Sequence, residues 1–470
     1  MIYDIDKHNP SSIAVIDDEG QNVTYGEICS FTKNFREALP KRTLVFILAQ
    51  NNLGTLLGYL GCLQNKVVPL IISLNTDHEL YNRFIDMYHP EYLWLPQETA
   101  DNKGFIPLFQ AYGYSLVKTG LDAPALFEDL SMLLPTSGST GSPKLVRHSY
   151  RNLEANAENV KLLFQLTPNQ RAMASLPIHY TMGRSVIDSH LKAGATILLS
   201  GMSLLDKRFW TRLKDERATS FTGVPYSYDL FSKLHFERMD LPDLEIITQG
   251  GGKLSEKMFV YLAKYAEEHG KKFIATYGQT ECSARMTYLP YNLAKSKICS
   301  IGIAEPNSKL SIVDSEGVET FEGEATGEMV FRGENVTLGY ATCAEDLAKG
   351  DENNGVMHTG DIAHRDEDGC YFIVGRMKRF LKIYGLRISL DEVENLIKGS
   401  FNVDCVCFGT DELLKILITK SSLLNEVKEF VIEKTHLFHK AIEVEYIEKI
   451  PRNEAGKVIP VTVVEAGPCV

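Results

Sequence analysis

The stretch Thr43 to Ser73, TLVFILAQNNLGTLLGYLGCLQNKVVPLIIS, sets two apolar runs, Leu44 to Leu48 and Val67 to Ile72, at either end of a helix-length segment. That is the pattern of a β-α-β unit in a parallel sheet. Working outward, Tyr92 to Leu95 and Thr196 to Leu199 repeat the run. From about Val23 to Leu199 such runs alternate with helix-length amphipathic stretches. The chain therefore reads as α/β, with a large N-terminal domain of stacked α/β subdomains. Two later strand candidates, Leu244 to Thr248 and Phe273 to Thr276, each run straight into a Gly-containing turn. Open α/β sheets bind their ligands at such turns, so both are site candidates on topology alone.

After about Ile298 the texture changes to short strands with Gly-rich turns, as in KLSIVDSEG and GEMVFRGENVTLGY. This predicts a small β-barrel-like subdomain over about 298–375. From Leu386 the order is a helix with Ser389 as its N-cap, a hairpin (VDCVCFG and LLKILITK), a helix and a strand. A small α+β C-terminal domain follows from this order. The expected division is a large domain over 1–377 and a small one over 378–470, with the boundary at Lys378.

At 470 residues, 44% apolar and 23% charged, the chain has ordinary globular composition and length for two or three domains. Its 61 acidic and 49 basic residues leave a net charge of −12. That is the wrong sign for a protein that lives by neutralising phosphate backbones, so nucleic acid is not an expected partner. A nucleotide needs only a few local donors and stays open. The nine cysteines include no CxxC pair, which suits a reduced cytoplasmic interior. Cys405 and Cys407 alternate along VDCVCFG as one face of a buried strand would. No run reaches the roughly 18 apolar residues of a membrane span, and the opening MIYDIDKHNP has no apolar leader. The expectation is a cytoplasmic protein.

The strongest local signal is TSGSTGSPK, Thr136 to Lys144. Hydroxyls at Thr136, Ser137, Ser139 and Thr140 supply donors, and Gly138 and Gly141 let backbone N–H groups close around phosphate oxygens. Lys144 adds a mobile point charge for a polyphosphate. No GxxxxGK[ST] fits the run, so it is not a Walker A loop. TYGQTE, Thr276 to Glu281, follows a strand, where an aromatic ring can cover a base and a carboxylate can hold Mg²⁺ against phosphate. HTGD, His358 to Asp361, offers an acceptor-only carboxylate suited to two hydroxyl donors. GRMKRFLKIYGLRISLDEVE, Gly375 to Glu394, and PRNEAGKV, Pro451 to Val458, complete the set.

In this order the motifs resemble those of the adenylate-forming superfamily of acyl-CoA synthetases, non-ribosomal peptide synthetase adenylation domains and luciferases. The resemblance covers nearly the whole chain. It implies ATP and Mg²⁺, a small carboxylic acid as substrate, and CoA or a carrier-protein phosphopantetheine as acceptor. It implies that the Thr136–Lys144 loop holds the β- and γ-phosphates and that Tyr277, beside Gly278, stacks on adenine. Thr280 then contacts the α-phosphate, Glu281 coordinates the metal, and Asp361 and Arg376 take the ribose. Lys378 is the implied hinge and Lys457 the implied catalytic lysine, a cation that offsets charge gathering at the transferring phosphoryl group. GEMVFRGENVTLGY is given scaffold roles only.

ASLPIHYTMGRSV, Ala174 to Val186, resembles the segment that lines the acyl site, with His179, Tyr180, Met182 and Gly183 as pocket candidates. TGVPYSYDLF, with Val224, and TQGGGKL resemble two further substrate-side stretches, and by that resemblance Gly250 to Gly252 let backbone approach adenine and the acyl chain together. No acidic residue lies between Ala174 and Ile187 to pair a substrate ammonium, which disfavours an α-amino acid. Arg184 is expected to snorkel to the surface, a second carboxylate being the other option. The implied activity is acid activation to acyl-AMP followed by thioester formation. The alternatives are a stand-alone enzyme loading an acyl or aminoacyl group on a carrier protein, and a catalytically silent nucleotide-binding relative.

Overall fold

The computed structural model describes residues 1–135, 144–376, 379–383, 386–410, 412–435, 437–452 and 458. The chain divides into two compact units. One is Met1–Lys309 with Phe331–Met357, and the other is Leu310–Val330 with His358–Val470.

The first unit is built on two large sheets. In one, the strands Leu44–Ala49 and Val68–Ser73 pair in parallel, as the opening stretch predicts, and Tyr92–Pro96 and Leu130–Pro135 extend the parallel run to either side. In the other, Ile13–Ile16, Thr196–Leu199, Arg171–Ala174, Ser220–Gly223, Ile246–Gln249 and Lys272–Tyr277 lie parallel in that spatial order. Both sheets end in antiparallel strands, here Asn22–Thr24 at one edge and Thr287–Tyr288 and Ile303–Ala304 at the other.

Helix Leu53–Gln64 explains how the two sheets stack. Asn52 caps it by accepting from the Thr55 N–H at 3.0 Å, and eleven of its twelve residues are buried. A helix apolar on every side must be covered on every side. One core cluster accordingly joins its leucines to Val45, Ile47 and Ile71 of the first sheet and to Ala172 and Ile197 of the second. Helix Thr181–Lys192 shares this layer through Val186, Ile187 and Leu191, yet it also buries Arg184, Ser185, Asp188, Ser189 and His190. Arg184 therefore does not reach the surface. It is fully buried and ion-paired with Asp188 one turn along, because this helix lies inside the molecule where a snorkelling side chain has no water to reach.

In the second unit the β-rich stretch forms an open five-stranded sheet, ordered Glu319–Thr320, Lys309–Val313, Ala325–Arg332, Val356–Arg365, Tyr371–Arg376. Among the described residues its outer strands are unpaired on one side, so the sheet is open rather than a closed barrel. The C-terminal portion has the expected order: helix Leu390–Phe401, hairpin Cys405–Thr410 and Leu413–Ile418, helix Leu424–Thr435, strand Ile442–Tyr446. Ser389 caps the first helix, accepting from Glu392 N at 3.3 Å. Cys405 and Cys407 face its core. Among the described residues no helix is long and apolar enough to cross a membrane.

Candidate active site

Three neighbouring parallel strands of the first unit, Ser220–Gly223, Ile246–Gln249 and Lys272–Tyr277, end side by side. Their C-terminal turns carry Val224, Gly250 to Gly252 and Gly278 to Glu281 respectively. Topology thus gathers three separate sequence motifs at one sheet end, the place where such folds bind ligands.

The turn after Tyr277 is held from several directions. At Gly278 a Cβ would lie 1.5 Å from the Ala284 carbonyl oxygen, so only glycine permits the chain to fold back so closely. Ser283 and Ala284 then adopt φ of +60° and +134°, backbone that costs a non-glycine residue on the order of 1–3 kcal/mol unless its surroundings enforce it. The enforcement comes from Asn335 to Tyr340. The Asn335 amide donates to the carbonyls of Cys282 (3.0 Å) and Arg285 (3.2 Å), and Ser283 Oγ donates to Asn335 O at 3.0 Å. Thr337 donates twice to the Glu281 carbonyl, from N at 3.0 Å and from Oγ1 at 2.9 Å.

Tyr340 closes the chain of contacts. Its hydroxyl donates to Glu281 Oε1 at 2.8 Å, and Lys144 Nζ sits 3.2 Å from its ring centroid. Burial and the adjacent Glu281 carboxylate push the Tyr340 hydroxyl well above its ordinary pKa, so it remains a donor at all ordinary pH. One tyrosine therefore positions a cation and a carboxylate together. Tyr277 and Glu281 are half-buried, and Gln279 Nε2 donates to the Tyr277 hydroxyl at 2.9 Å.

The residues that the sequence offers as pocket candidates meet next to this turn. A Cβ on Gly250 would lie 2.2 Å from Met182 Cε and 2.8 Å from Thr276 Oγ1, and one on Gly251, which has φ of +76°, would lie 3.1 Å from Val224 Cγ1. Gly183 is equally confined, with the Pro177 carbonyl oxygen 2.3 Å from where a Cβ would stand. His179 and Tyr180 are half-buried with ring centroids 4.5 Å apart. The Gln249 amide donates to the Gly252 carbonyl at 2.5 Å and stiffens the glycine turn.

A second group lies in the second unit. Asp361 and Arg376 are paired across adjacent antiparallel strands, and Asp361 Oδ1 accepts from Arg376 Nε at 2.9 Å. The carboxylate is buried while the guanidinium is exposed. Gly360, at φ +68°, donates its N–H to Glu328 Oε1 at 3.1 Å, and His358 meets the same carboxylate at 2.9 Å through Nδ1.

The structure thus assembles Lys144, Tyr277, Gly278, Thr280 and Glu281 with Met182, Val224 and Gly250 to Gly252 in one unit, and Asp361 with Arg376 in the other. Thr136, Ser137, Gly138, Ser139, Thr140, Gly141, Lys378 and Lys457 lie outside the described residues. Sequence reasoning missed Asn335, Thr337 and Tyr340 as partners of the Glu281 turn. Their only signal was membership of GEMVFRGENVTLGY.

A family model described as AMP-binding enzyme matches residues 4–341. The chain belongs to this family. It is 27% identical over 361 residues to a long-chain-fatty-acid–CoA ligase of Salmonella typhimurium, covering 71% of this chain and 61% of that protein. It is 30% identical over 295 residues to a feruloyl-CoA synthase of Amycolatopsis sp, covering 62% and 58%. The aligned part thus spans about three-fifths of the length of these curated relatives. Among solved structures it superposes on the O-succinylbenzoate coenzyme A synthetase of Bacillus subtilis in complex with AMP, with a TM-score of 0.79 and 20% identity over 98% of this chain and 97% of that one. That likeness establishes the fold.

Proposed function

We propose that this protein activates a carboxylic acid with ATP and passes the acyl group to a thiol. The observation that carries the reading is the Lys144–Tyr340–Glu281 arrangement at the end of the parallel strands, beside the Met182–Gly250 contact. A cation and an anion are held there by a single ring, next to the apolar side chains of Met182 and Val224. That is what a polyphosphate, its counter-ion and an acyl chain together require.

In this reading the Thr136–Lys144 loop takes the β- and γ-phosphates, Tyr277 covers adenine, and Thr280 steadies the α-phosphate. Asp361 and Arg376 hold the ribose hydroxyls; a buried carboxylate steadied by one guanidinium is an acceptor of fixed direction. Glu281 suits Mg²⁺, because a carboxylate that accepts the Tyr340 hydroxyl is an oriented oxygen donor of the kind a hard cation takes. Bound there, the metal would neutralise phosphate charge.

The acid's carboxylate attacks the α-phosphorus, the α–β bond breaks, and pyrophosphate leaves. A thiolate then attacks the acyl carbon and AMP departs. Lys457 supplies the cation for the first step, and Lys378 is the hinge about which the small domain exchanges one set of surroundings for the other. The matching of substrate follows from charge. Asp188, the first acidic residue after the acyl segment, is already paired with Arg184 inside the core, so it is not offered to a substrate ammonium. Fatty and aryl acids suit the side chains of His179, Tyr180, Met182 and Val224, none of which offers an anion to an ammonium, better than amino acids do.

ATP–pyrophosphate exchange over fatty, aryl, dicarboxylic and amino acids tests the first half, and thioester formation with CoA against a phosphopantetheine carrier tests the second. Exchange with a fatty or aryl acid is expected. Exchange with amino acids alone, or with none, overturns the reading.

A further inference from the structure

Helix Thr181–Lys192 carries Met182, whose Cε stands against Gly250, and Gly183 in its first turn, and Arg184, Ser185, Asp188 and Ser189 in the turn that follows are all buried. Arg184 Nη1 pairs with Asp188, whose other oxygen accepts the Tyr59 hydroxyl at 3.1 Å, while Arg184 Nη2 donates to the Ser283 carbonyl at 3.2 Å. The contact is reciprocated. Arg285, also fully buried, donates from Nη1 to Ser185 Oγ at 2.8 Å, and that hydroxyl donates to Asn156 Oδ1 at 3.1 Å. A guanidinium from the helix thus grips the turn, and a guanidinium from the turn grips the helix.

Stability does not account for this arrangement. Buried ion pairs are commonly replaced by apolar groups of similar size with no loss, and here Arg184 Nε and both Nε and Nη2 of Arg285 are left without a hydrogen-bond partner. What the crossed bonds do, and apolar packing would not, is lock one helix end to the turn in a single register. That turn is the strained Ser283–Ala284 segment, two residues beyond Glu281. Strained backbone keeps its shape only while neighbours impose it, so the turn is the part of the site whose ordering a neighbour can change.

We propose that the Arg184–Ser283 and Arg285–Ser185 bonds couple acid binding to nucleotide binding, the helix passing the order gained when an acid binds against Met182 to the turn that carries Thr280 and Glu281. The proposal rests on the reading of Met182 and its neighbours as the acid site. Ordering by the first ligand lowers the entropy cost met by the second, and the effect is reciprocal. Arg184, Ser185 and Arg285 are positioning residues in this scheme.

The test measures the Kd of α,β-methylene-ATP, whose α–β link resists cleavage, with and without saturating decanoate or ferulate, whichever supports pyrophosphate exchange. In the native protein the acid should tighten nucleotide binding by about five- to tenfold. Ser185→Ala should reduce that factor to below about twofold, and so should Arg184→Met combined with Asp188→Leu, which leaves no orphaned charge; Ser185→Thr, which keeps the hydroxyl, should retain it. Amide exchange across residues 277–286 should slow on adding acid alone in the native protein and not in Ser185→Ala. A native factor of one, or an undiminished factor in folded Ser185→Ala, overturns the coupling. If the double variant does not fold, Ser185→Ala decides. Exchange with none of the acids is a different failure, that of the acid-site reading itself.

Discussion

Replacing Glu305 by glutamine should change how stability depends on pH, and by an amount the structure sets. Glu305 is buried beside the Cys282–Arg285 turn, where Oε1 accepts from the amides of Asn335 at 2.7 Å and Asn159 at 3.2 Å. Burial pushes its carboxyl up from 4.5 to about 8, against the pull of those amides and of Arg285. Between those values the folded protein holds a proton that the unfolded chain has released. Each pH unit in that window therefore removes about 1.4 kcal/mol of stability as pH rises. Glutamine is the isostere of the protonated acid and does not titrate. Glu305→Gln should accordingly match the native protein near pH 4.5, exceed it by about 1.4 kcal/mol at pH 5.5, and exceed it by about 4 kcal/mol at pH 7.5, levelling off above pH 8. Buried His190, whose pKa falls to about 4, adds an opposite slope below pH 6.5, but it is common to both proteins and cancels in the difference. Urea unfolding of both proteins from pH 5 to 9 gives that difference directly. A difference that is flat with pH, or one that shrinks as pH rises, refutes the reasoning.

Tyr340→Phe keeps the ring beneath Lys144 and removes only the hydrogen bond to Glu281, so the KM for MgATP should rise roughly tenfold, the equivalent of one charge-assisted bond; an unchanged KM denies Tyr340 its role. Gly250→Ala drives a Cβ against Met182 Cε and should raise the KM for the acid more than that for ATP in steady-state assays, while Met182→Ala in the same chain should restore it in part, the Thr276 Oγ1 contact remaining. Asp361→Ala leaves Arg376 without its partner and should weaken ATP binding by roughly ten- to a hundredfold in calorimetry, with the affinity for pyrophosphate little altered.

The parallel sheets were legible because their strands are continuous apolar runs separated by helix-length segments, a pattern that Thr43 to Ser73 shows in one view. The turns after Ile246–Gln249 and Lys272–Tyr277 were legible for a related reason: the Met182 and Thr276 side chains at Gly250 and the Ala284 carbonyl at Gly278 leave no room for a Cβ, and glycine after a strand records that demand. Whether the β-rich stretch closes into a barrel was not legible, since short strands and Gly-rich turns serve an open sheet equally well. Tyr340 and Asn335 act on a turn more than fifty residues earlier in the chain, and no local spacing encodes such a contact. Arg184 followed by Asp188 is visible as an i, i+4 pair, yet the same pair serves an exposed helix as readily as one enclosed between two sheets. Layering, a property of the whole fold, decides between them.

The most direct test of the account uses an acid labelled with ¹⁸O in both carboxylate oxygens, the thiol acceptor and ATP, with mass analysis of the products. Attack of the carboxylate on the α-phosphorus predicts AMP carrying a single ¹⁸O and pyrophosphate carrying none. Label in pyrophosphate or orthophosphate, or AMP without label, would contradict an acyl-adenylate and with it the roles given to Lys144, Tyr340 and Glu281.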